Sequence, residues 1–383
     1  MTVPFGCQVC GSGRLAELEA FGALPRITSD CKPFRAGGRL TECIECGATQ
    51  KLPTPEWLAE ISEIYRDYTP YHQAEGVEQI VLDSATGTLR RRSDVIITRL
   101  AAMGELPKSG RVLDAGCGSG ATLKVFSREL PGWSLYGHEI DGKGHEHLAA
   151  IPGFRQLYTC SPQEIDVDFD MVTSIHSLEH FPSPYDMLCQ IRTRIRPGGR
   201  LFVQLYNSAE NLFDLLIADH LMHFTPRTLA LIVERAGFEV QFIETSWITK
   251  ELSLLATPSE AGQHNDDSLA RFPELRKRAA SVAWLRATME CALAGAALGT
   301  PLGVFGTSIA ATWVASFLGE SVEFFVDEDP LRQNRSYMGR AVLSPSQVPP
   351  GSRVFLALVP AVAENIQRRL QPLGIEFFSP PVR

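Results

Sequence analysis

The stretch that most constrains this chain runs from Arg111 to Leu123. Val112 and Leu113 end a short apolar run and Asp114 follows. Gly116, Gly118 and Gly120 then fall at every second position before a helical pattern opens. Glycines spaced this tightly mark a backbone that turns with positive φ or lies directly against a ligand. A strand, a glycine turn and a helix in that order begin the nucleotide-binding half of an open α/β sheet. The spacing is GxGxG, which departs from the GxGxxG of the dinucleotide fingerprint. Asp114 sits two residues before the first glycine, where its carboxylate can reach a ligand ammonium or an ordered water. Glu139 closes the next apolar run, about 20 residues past the glycines, the position at which an acid takes ribose hydroxyls.

A length of 383 residues suggests two or three domains. A net charge of -8 argues against a nucleic-acid partner. The N-terminus has neither a basic nor an apolar leader region, so no secretion signal is expected and the location implied is cytoplasmic. No residue between Glu290 and Glu320 is charged, a length sufficient to span a bilayer. That stretch contains five glycines and Pro301, and it divides into a helix end, a strand from Leu302 to Phe305, a turn at Gly306 and a second helix. No membrane association is expected.

Nine cysteines without a signal peptide argue against a disulfide framework. Cys7-x2-Cys10 and Cys43-x2-Cys46 form two knuckles with 32 residues between them. Each knuckle puts two thiolates on one side of a metal, and together they complete a tetrahedral site with no position left for water. The expectation is one structural zinc ion (Zn2+) per chain.

The glycine turn resembles motif I of the class I S-adenosylmethionine (SAM) methyltransferases, and further segments follow in family order. Phe169–Ile175 has the pattern of the fourth strand and runs into His176-Ser-Leu-Glu179-His180, and Ile195-Arg-Pro197-Gly198-Gly199 turns into a fifth. The fold implied is α/β: a Rossmann-like methyltransferase sheet with a small N-terminal four-cysteine zinc module and a C-terminal Rossmann-like α/β unit. The expected division is 1–55 for the zinc module, 56–250 for the methyltransferase domain with its helical lead-in, 251–300 for a helical bridge and 301–383 for the C-terminal unit. That order resembles the sugar C-methyltransferases of bacterial deoxysugar pathways and their surface-polysaccharide relatives.

The resemblance implies S-adenosyl-L-methionine as cofactor and a small, nucleotide-linked sugar as acceptor. Asp114, Gly116, Gly118, Gly120 and Glu139 would line the SAM site. The family's catalytic loop carries Tyr-His-Glu-His; here it reads Ile217-Ala218-Asp219-His220, followed by His223-Phe224-Thr225. An acid–histidine pair is retained and the Tyr and first His are absent. His220, oriented by Asp219, is the expected base, with Tyr68 and His176 as further candidates. The reaction is C-methylation through a base-generated carbanion, or O-methylation; the alternative is a non-catalytic subunit that binds SAM or a sugar nucleotide.

Elsewhere the reading is structural. Trp57, Leu58, Ile61 and Ile64 mark one face of a helix, and Tyr65, Tyr68 and Tyr71 follow three apart. Arg90, Arg91 and Arg92 read as a solvated helix face. Arg271, Glu274, Arg276, Lys277 and Arg278 open the bridging helix. In the C-terminal unit Gly306 marks a turn, Asp327 ends the next strand, and Arg332, Arg335 and Arg340 could meet phosphates.

Overall fold

The computed structural model describes residues 5–69, 78, 80–83, 86–103, 106–259 and 278–382. Tyr71 and the charges at Arg271, Glu274, Arg276 and Lys277 lie outside them. A seven-stranded sheet carries the structure: β1 (Gly110–Ala115), β2 (Trp133–His138), β3 (Phe154–Tyr158), β4 (Phe169–Ile175), β5 (Ile195–Tyr206), β6 (Phe238–Glu244) and β7 (Glu251–Pro258). Their order is β3-β2-β1-β4-β5-β7-β6. β7 runs antiparallel to both its neighbours, whereas the pairings from β3 to β5 are parallel.

Strands of a sheet covered on both faces are apolar on both. Val112, Met171, Phe202 and Leu255 face one layer, packing with Val95, Ile96 and Leu100 of the helix Arg92–Ala102 and with Leu123 and Phe126 of α1 (Ala121–Glu129). Leu113, Val172, Val203 and Leu254 face the other. Each such side chain withdrawn from water contributes about 1.5–3 kcal/mol. The strand order reverses at β1, whose neighbours β2 and β4 lie on opposite sides, so the carboxyl ends of β1 and β4 border the crevice where such sheets bind ligands.

The N-terminal residues add a four-stranded antiparallel sheet. Three of its strands, Leu15–Glu17, Leu40–Cys43 and Thr49–Lys51, are local. The fourth is Met222–His223, with Met222 opposite Gln50 and His223 opposite Thr49. Val9, Ala48 and Trp57 belong to the same core as Leu113 and Val203, so this module shares its interior with the large sheet. Pro55–Arg66 follows as a helix, with Thr54 capping the Trp57 amide at 3.2 Å and Pro55 at the first turn, where its missing N–H costs nothing.

The C-terminal residues form a six-stranded sheet ordered Ser336–Tyr337, Arg340–Leu343, Val322–Val326, Leu302–Phe305, Arg353–Leu356, Glu376–Phe378. Its helix Ile309–Leu318 docks on the N-terminal module: the Trp313 indole donates to the Pro25 carbonyl at 2.9 Å, and the Tyr337 hydroxyl to the Cys31 carbonyl at 3.3 Å. No helix among the described residues is long and apolar enough to cross a membrane.

Two expectations are corrected. The sheet does not end at residue 250, because Glu251–Pro258 inserts between β5 and β6; Leu252, Leu254 and Ala256 bury against one layer and Leu255 against the other, which makes this strand integral. The basic run Arg90–Arg92 is not a solvated helix face. Thr88–Arg91 is a strand of a hairpin, Arg90 pairs with Asp83, and Arg92 is buried against Glu251 at 2.9 Å. Arg278, the one described residue of the charged run, is also buried, donating to the carbonyl and hydroxyl of Ser208 at 2.7 Å each.

Candidate active site

The glycine turn sits at the carboxyl end of β1. Gly116, Gly118 and Gly120 have φ of 79°, 50° and 75°, the left-handed region that side chains disfavour. The Gly116 and Cys117 amides donate to the His138 carbonyl at 2.8 and 3.2 Å, which ties the turn to the end of β2. A Cβ at Gly116 would stand 2.4 Å from the Ser177 Cβ, whereas one at Gly118 would meet nothing within 4 Å. The backbone is therefore approachable at Gly118. Glu139 stands at that edge, accepting the Gly118 amide at 2.6 Å. Asp114 lies beneath the turn, buried, and accepts the Thr173 hydroxyl at 2.6 Å. Burial pushes its carboxyl up to about 7.

The loop after β4 carries the second half of the site. Ser177 donates to the Ala115 carbonyl at 2.6 Å, so this loop is fastened to the residue just before the glycine turn. His176 adopts a φ of 49°, and its Nε2 lies 3.2 Å from Glu251 and its Nδ1 3.5 Å from Glu179. Burial and Arg92 lower the His176 imidazolium, but the two carboxylates outweigh them and raise it above its usual value. Tyr206 packs on the His176 ring at 4.6 Å.

His220, His180 and His223 converge beside this loop. The His220 Nδ1 donates to Asp214 at 2.8 Å and the His223 Nδ1 donates to the other Asp214 oxygen at 2.9 Å. A carboxylate only accepts, so both rings carry their proton on Nδ1. The His223 Nε2 in turn accepts from Lys51 at 3.0 Å, whose ammonium also donates to the Ile217 and His220 carbonyls at 2.6 and 2.8 Å. Burial, with Lys51 beside it, pushes His223 down to about 3, and burial with Arg26 brings Lys51 down to about 7. Burial opposes ionisation of Asp214, yet His223 and His220 hold it well below the usual carboxylate range.

The expected Asp219–His220 pair is corrected by this geometry. Adjacent side chains diverge at this bend, and Asp214, six residues earlier, orients His220 instead. Asp219 lies 3.3 Å from the His180 Nδ1 and accepts from the Ser29 amide at 2.8 Å and the Ser29 hydroxyl. Tyr68 is placed near, its hydroxyl 3.3 Å from the Ser29 oxygen, while Tyr65 reaches the His180 Nδ1 at 3.0 Å. The structure thus gathers His220, Asp219, Tyr68 and His176 into one region and adds Asp214, Glu179, His180, Tyr65, Lys51 and Glu251. Of these, Glu179 and His180 had a readable signal, since both lie in the segment His176–His180 that follows the fourth strand.

The four knuckle cysteines also come together. Cys7 and Cys46 sulfurs are 3.5 Å apart and those of Cys10 and Cys43 are 3.6 Å apart, with all four within 4.8 Å of one another. Each knuckle closes on a left-handed glycine: the Gly11 amide bonds the Cys7 carbonyl and the Gly47 amide bonds the Cys43 carbonyl, at 2.8 and 2.9 Å. In the C-terminal unit, Asp327 accepts from Thr307 at 2.9 Å, Arg332 donates to Thr307 at 2.8 Å, and Arg340 donates to the Met338 and Gly319 carbonyls at 2.8 and 2.7 Å.

Comparison with known proteins bears on the part of the chain that holds the glycine turn. Residues 88–241 match the family described as a methyltransferase domain. A ubiquinone biosynthesis O-methyltransferase of Aeromonas salmonicida is 30% identical over 128 residues, covering 30% of this chain and 52% of that protein. The 27-O-demethylrifamycin SV methyltransferase of Amycolatopsis mediterranei is 26% identical over 157 residues, covering 39% of this chain and 58% of that protein. The chain thus spans a little over half the length of these curated relatives. A solved 1,6-didemethyltoxoflavin-N1-methyltransferase of Burkholderia thailandensis covers 57% of this chain and 98% of its own at 21% identity, with a TM-score of 0.40, too low to bear on the comparison. Residues 88–241 are a methyltransferase domain of the class I SAM-dependent type, carried within a longer chain.

Proposed function

We propose that the chain transfers a methyl group from SAM to a small, sugar-like acceptor carried on a nucleotide, and that the acceptor is activated at the histidine cluster. The observation that carries this reading is the Ser177–Ala115 bond, which holds His176–His180 against the glycine turn. The donor turn and the acceptor-side imidazoles are thereby neighbours. SAM supplies the electrophilic methyl at its sulfonium. Gly116, Gly118 and Gly120 would lie along the cofactor, Glu139 would take its ribose hydroxyls, and Asp114 would act from beneath the turn. His220 is the activating residue, because Asp214 fixes its proton on Nδ1 and leaves the Nε2 lone pair for the acceptor. Tyr68, Asp219 and His176 border the approach. Both curated relatives are named for methylation at oxygen or of an O-demethyl compound, which favours an oxygen acceptor over carbon.

The four cysteines fit a structural zinc ion. Thiolates at about 2.3 Å around a tetrahedral ion stand about 3.8 Å apart, close to the 3.5 and 3.6 Å separations here. Its role would be to brace residues 49–51 behind His223. The division into a zinc module, a methyltransferase domain extended to residue 258, a bridge and a C-terminal unit belongs to the same proposal.

Labelled SAM with a panel of nucleotide sugars, run on wild type and His220→Ala, tests it. Transfer to one class of sugar, reduced by roughly 10²–10⁴ in the variant while SAM binding persists, is expected for a lost base. Turnover within about threefold of wild type would remove His220 from activation, and no transfer to any acceptor would leave a binding subunit.

A further inference from the structure

The acceptor-side cluster contains one group that makes no hydrogen bond among the described residues. Glu179 is buried, its side chain 3% exposed, and among the described residues its carboxylate oxygens make no hydrogen bond, the His176 imidazole standing off at 3.5 Å. A buried carboxylate without donors costs several kcal/mol unless a cation meets it. On the same side lie His180 and His220, their rings edge to face with centroids 4.5 Å apart. One donor atom each from Glu179, His180 and His220 lies within 4.8 Å of the others.

The orientation of the two imidazoles adds a separate indication. His220 gives its Nδ1 proton to Asp214, and the His180 Nδ1 faces Asp219. Metal-ligating histidines almost always spend their second nitrogen in this way, on a carboxylate that fixes the tautomer and raises ligand basicity. Two histidines, each backed by its own carboxylate, with a buried carboxylate beside them that makes no hydrogen bond among the described residues, form the pattern of a metal site. Asp214, His220 and His223 also approach one another, but that group is already closed: both Asp214 oxygens take imidazole protons, and the Lys51 ammonium occupies the remaining His223 nitrogen.

We propose that Glu179, His180 and His220 bind a divalent transition-metal ion, and that the ion receives an oxygen of the acceptor. This rests on the reading of the cluster as the acceptor site. Two imidazoles and a carboxylate suit Zn2+, Fe2+ or Mn2+, and three protein ligands leave positions open for a hydroxyl or carbonyl oxygen. An ion about 2.1 Å from each donor needs donors roughly 3.0–3.5 Å apart, an adjustment within side-chain reach. His220 is then a ligand whose lone pair no longer takes the acceptor's proton; the ion lowers the pKa of a bound hydroxyl, and that proton passes to solvent.

Mn2+ is the probe, because it prefers oxygen and nitrogen donors, whereas thiolates select zinc. Titration of the full-length protein, followed by the electron paramagnetic resonance of free Mn2+, should show one ion bound per chain. Glu179→Gln should weaken that binding at least tenfold with an unchanged circular dichroism spectrum; His180→Gln, read in the same way, guards against a misfolded first variant. No stoichiometric Mn2+ binding, or equal binding by wild type and both variants, overturns the site. Methyl transfer from labelled SAM is measured alongside. Transfer that proceeds without a bound ion returns His220 to the role of direct base. Mn2+ binding lost in both variants, with no transfer to any acceptor, keeps the site and sinks the methylation reading.

Discussion

The chain builds the same device twice and finishes it in two ways. In the large sheet, Gly116 leaves β1 and its amide bonds the carbonyl of His138, just before Glu139. In the C-terminal sheet, Gly306 leaves Leu302–Phe305 and its amide bonds the carbonyl of Val326 at 2.6 Å, just before Asp327. Strand, left-handed glycine and acid correspond position for position. At the first turn the acid accepts, among the described residues, the Gly118 and Ile140 amides, and the Gly118 face is open. At the second, Asp327 is taken by Thr307, and Arg332 lies across both. The backbone device therefore does not make a ligand site by itself; the side chains around it decide whether the crevice is offered to a ligand or closed by the chain.

The glycines should break the comparison most sharply. Gly116→Ala puts a Cβ 2.4 Å from Ser177 at a φ of 79°. Overpacking of about 1–3 kcal/mol and a left-handed penalty of about 1–2 kcal/mol should combine there. Thermal unfolding should report the destabilisation, and calorimetry a loss of SAM affinity of roughly a hundredfold. Gly306→Ala, at a φ of 88° but with no neighbour closer than 3.9 Å, should incur only the conformational penalty and keep SAM affinity. Equal effects on SAM binding would mean that the two turns are not functionally distinct.

The acids should give a smaller contrast. Glu139→Gln should raise the SAM dissociation constant by about 10–100-fold, the worth of a hydrogen bond to a charged group. Asp327→Asn should leave it within about twofold while lowering the melting temperature, since Arg332 loses one of the two carboxylates it meets. A matching loss of SAM affinity in Asp327→Asn would show that the C-terminal unit takes part in cofactor binding.

The last contrast concerns pH. Burial holds Asp114 at about 7, against roughly 3.9 in an unfolded chain. Between those values the folded chain keeps a proton that the unfolded chain has lost, so this group's contribution to stability falls as pH rises through the window. Asp114→Asn titrates in neither state. Without SAM, its melting temperature relative to wild type should rise between about pH 5 and about pH 8; a constant difference would show that Asp114 is already ionised in the fold.

What could be read from the residues alone follows from the range of the forces involved. The glycine turn and the cysteine knuckles are set by backbone conformation and ligand chemistry over a few residues, and Phe169–Ile175 by an apolar run bounded by charge. Contacts that depend on direction or distance were not legible. Nothing in Asp219-His220 shows that the two side chains part and that Asp214 takes the imidazole. Arg92 looks like its neighbours Arg90 and Arg91 until Glu251, 159 residues away, is placed against it. Glu251–Pro258 became a strand of the sheet only when β5 and β6 flanked it.

The pairing of Thr49–Gln50 with Met222–His223 has a consequence in time. Lys51 and His223 are separated by 172 residues, and at about 5–20 residues per second a ribosome needs roughly 10–30 s to cover that distance. Throughout that interval the strand Thr49–Lys51 is an unpaired edge, the kind of surface on which nascent chains aggregate. Early closure of the cysteine knuckles on a metal ion would hold that edge in shape until its partner is synthesised. If the knuckles hold zinc as proposed, its supply during translation would bear on the yield of folded protein.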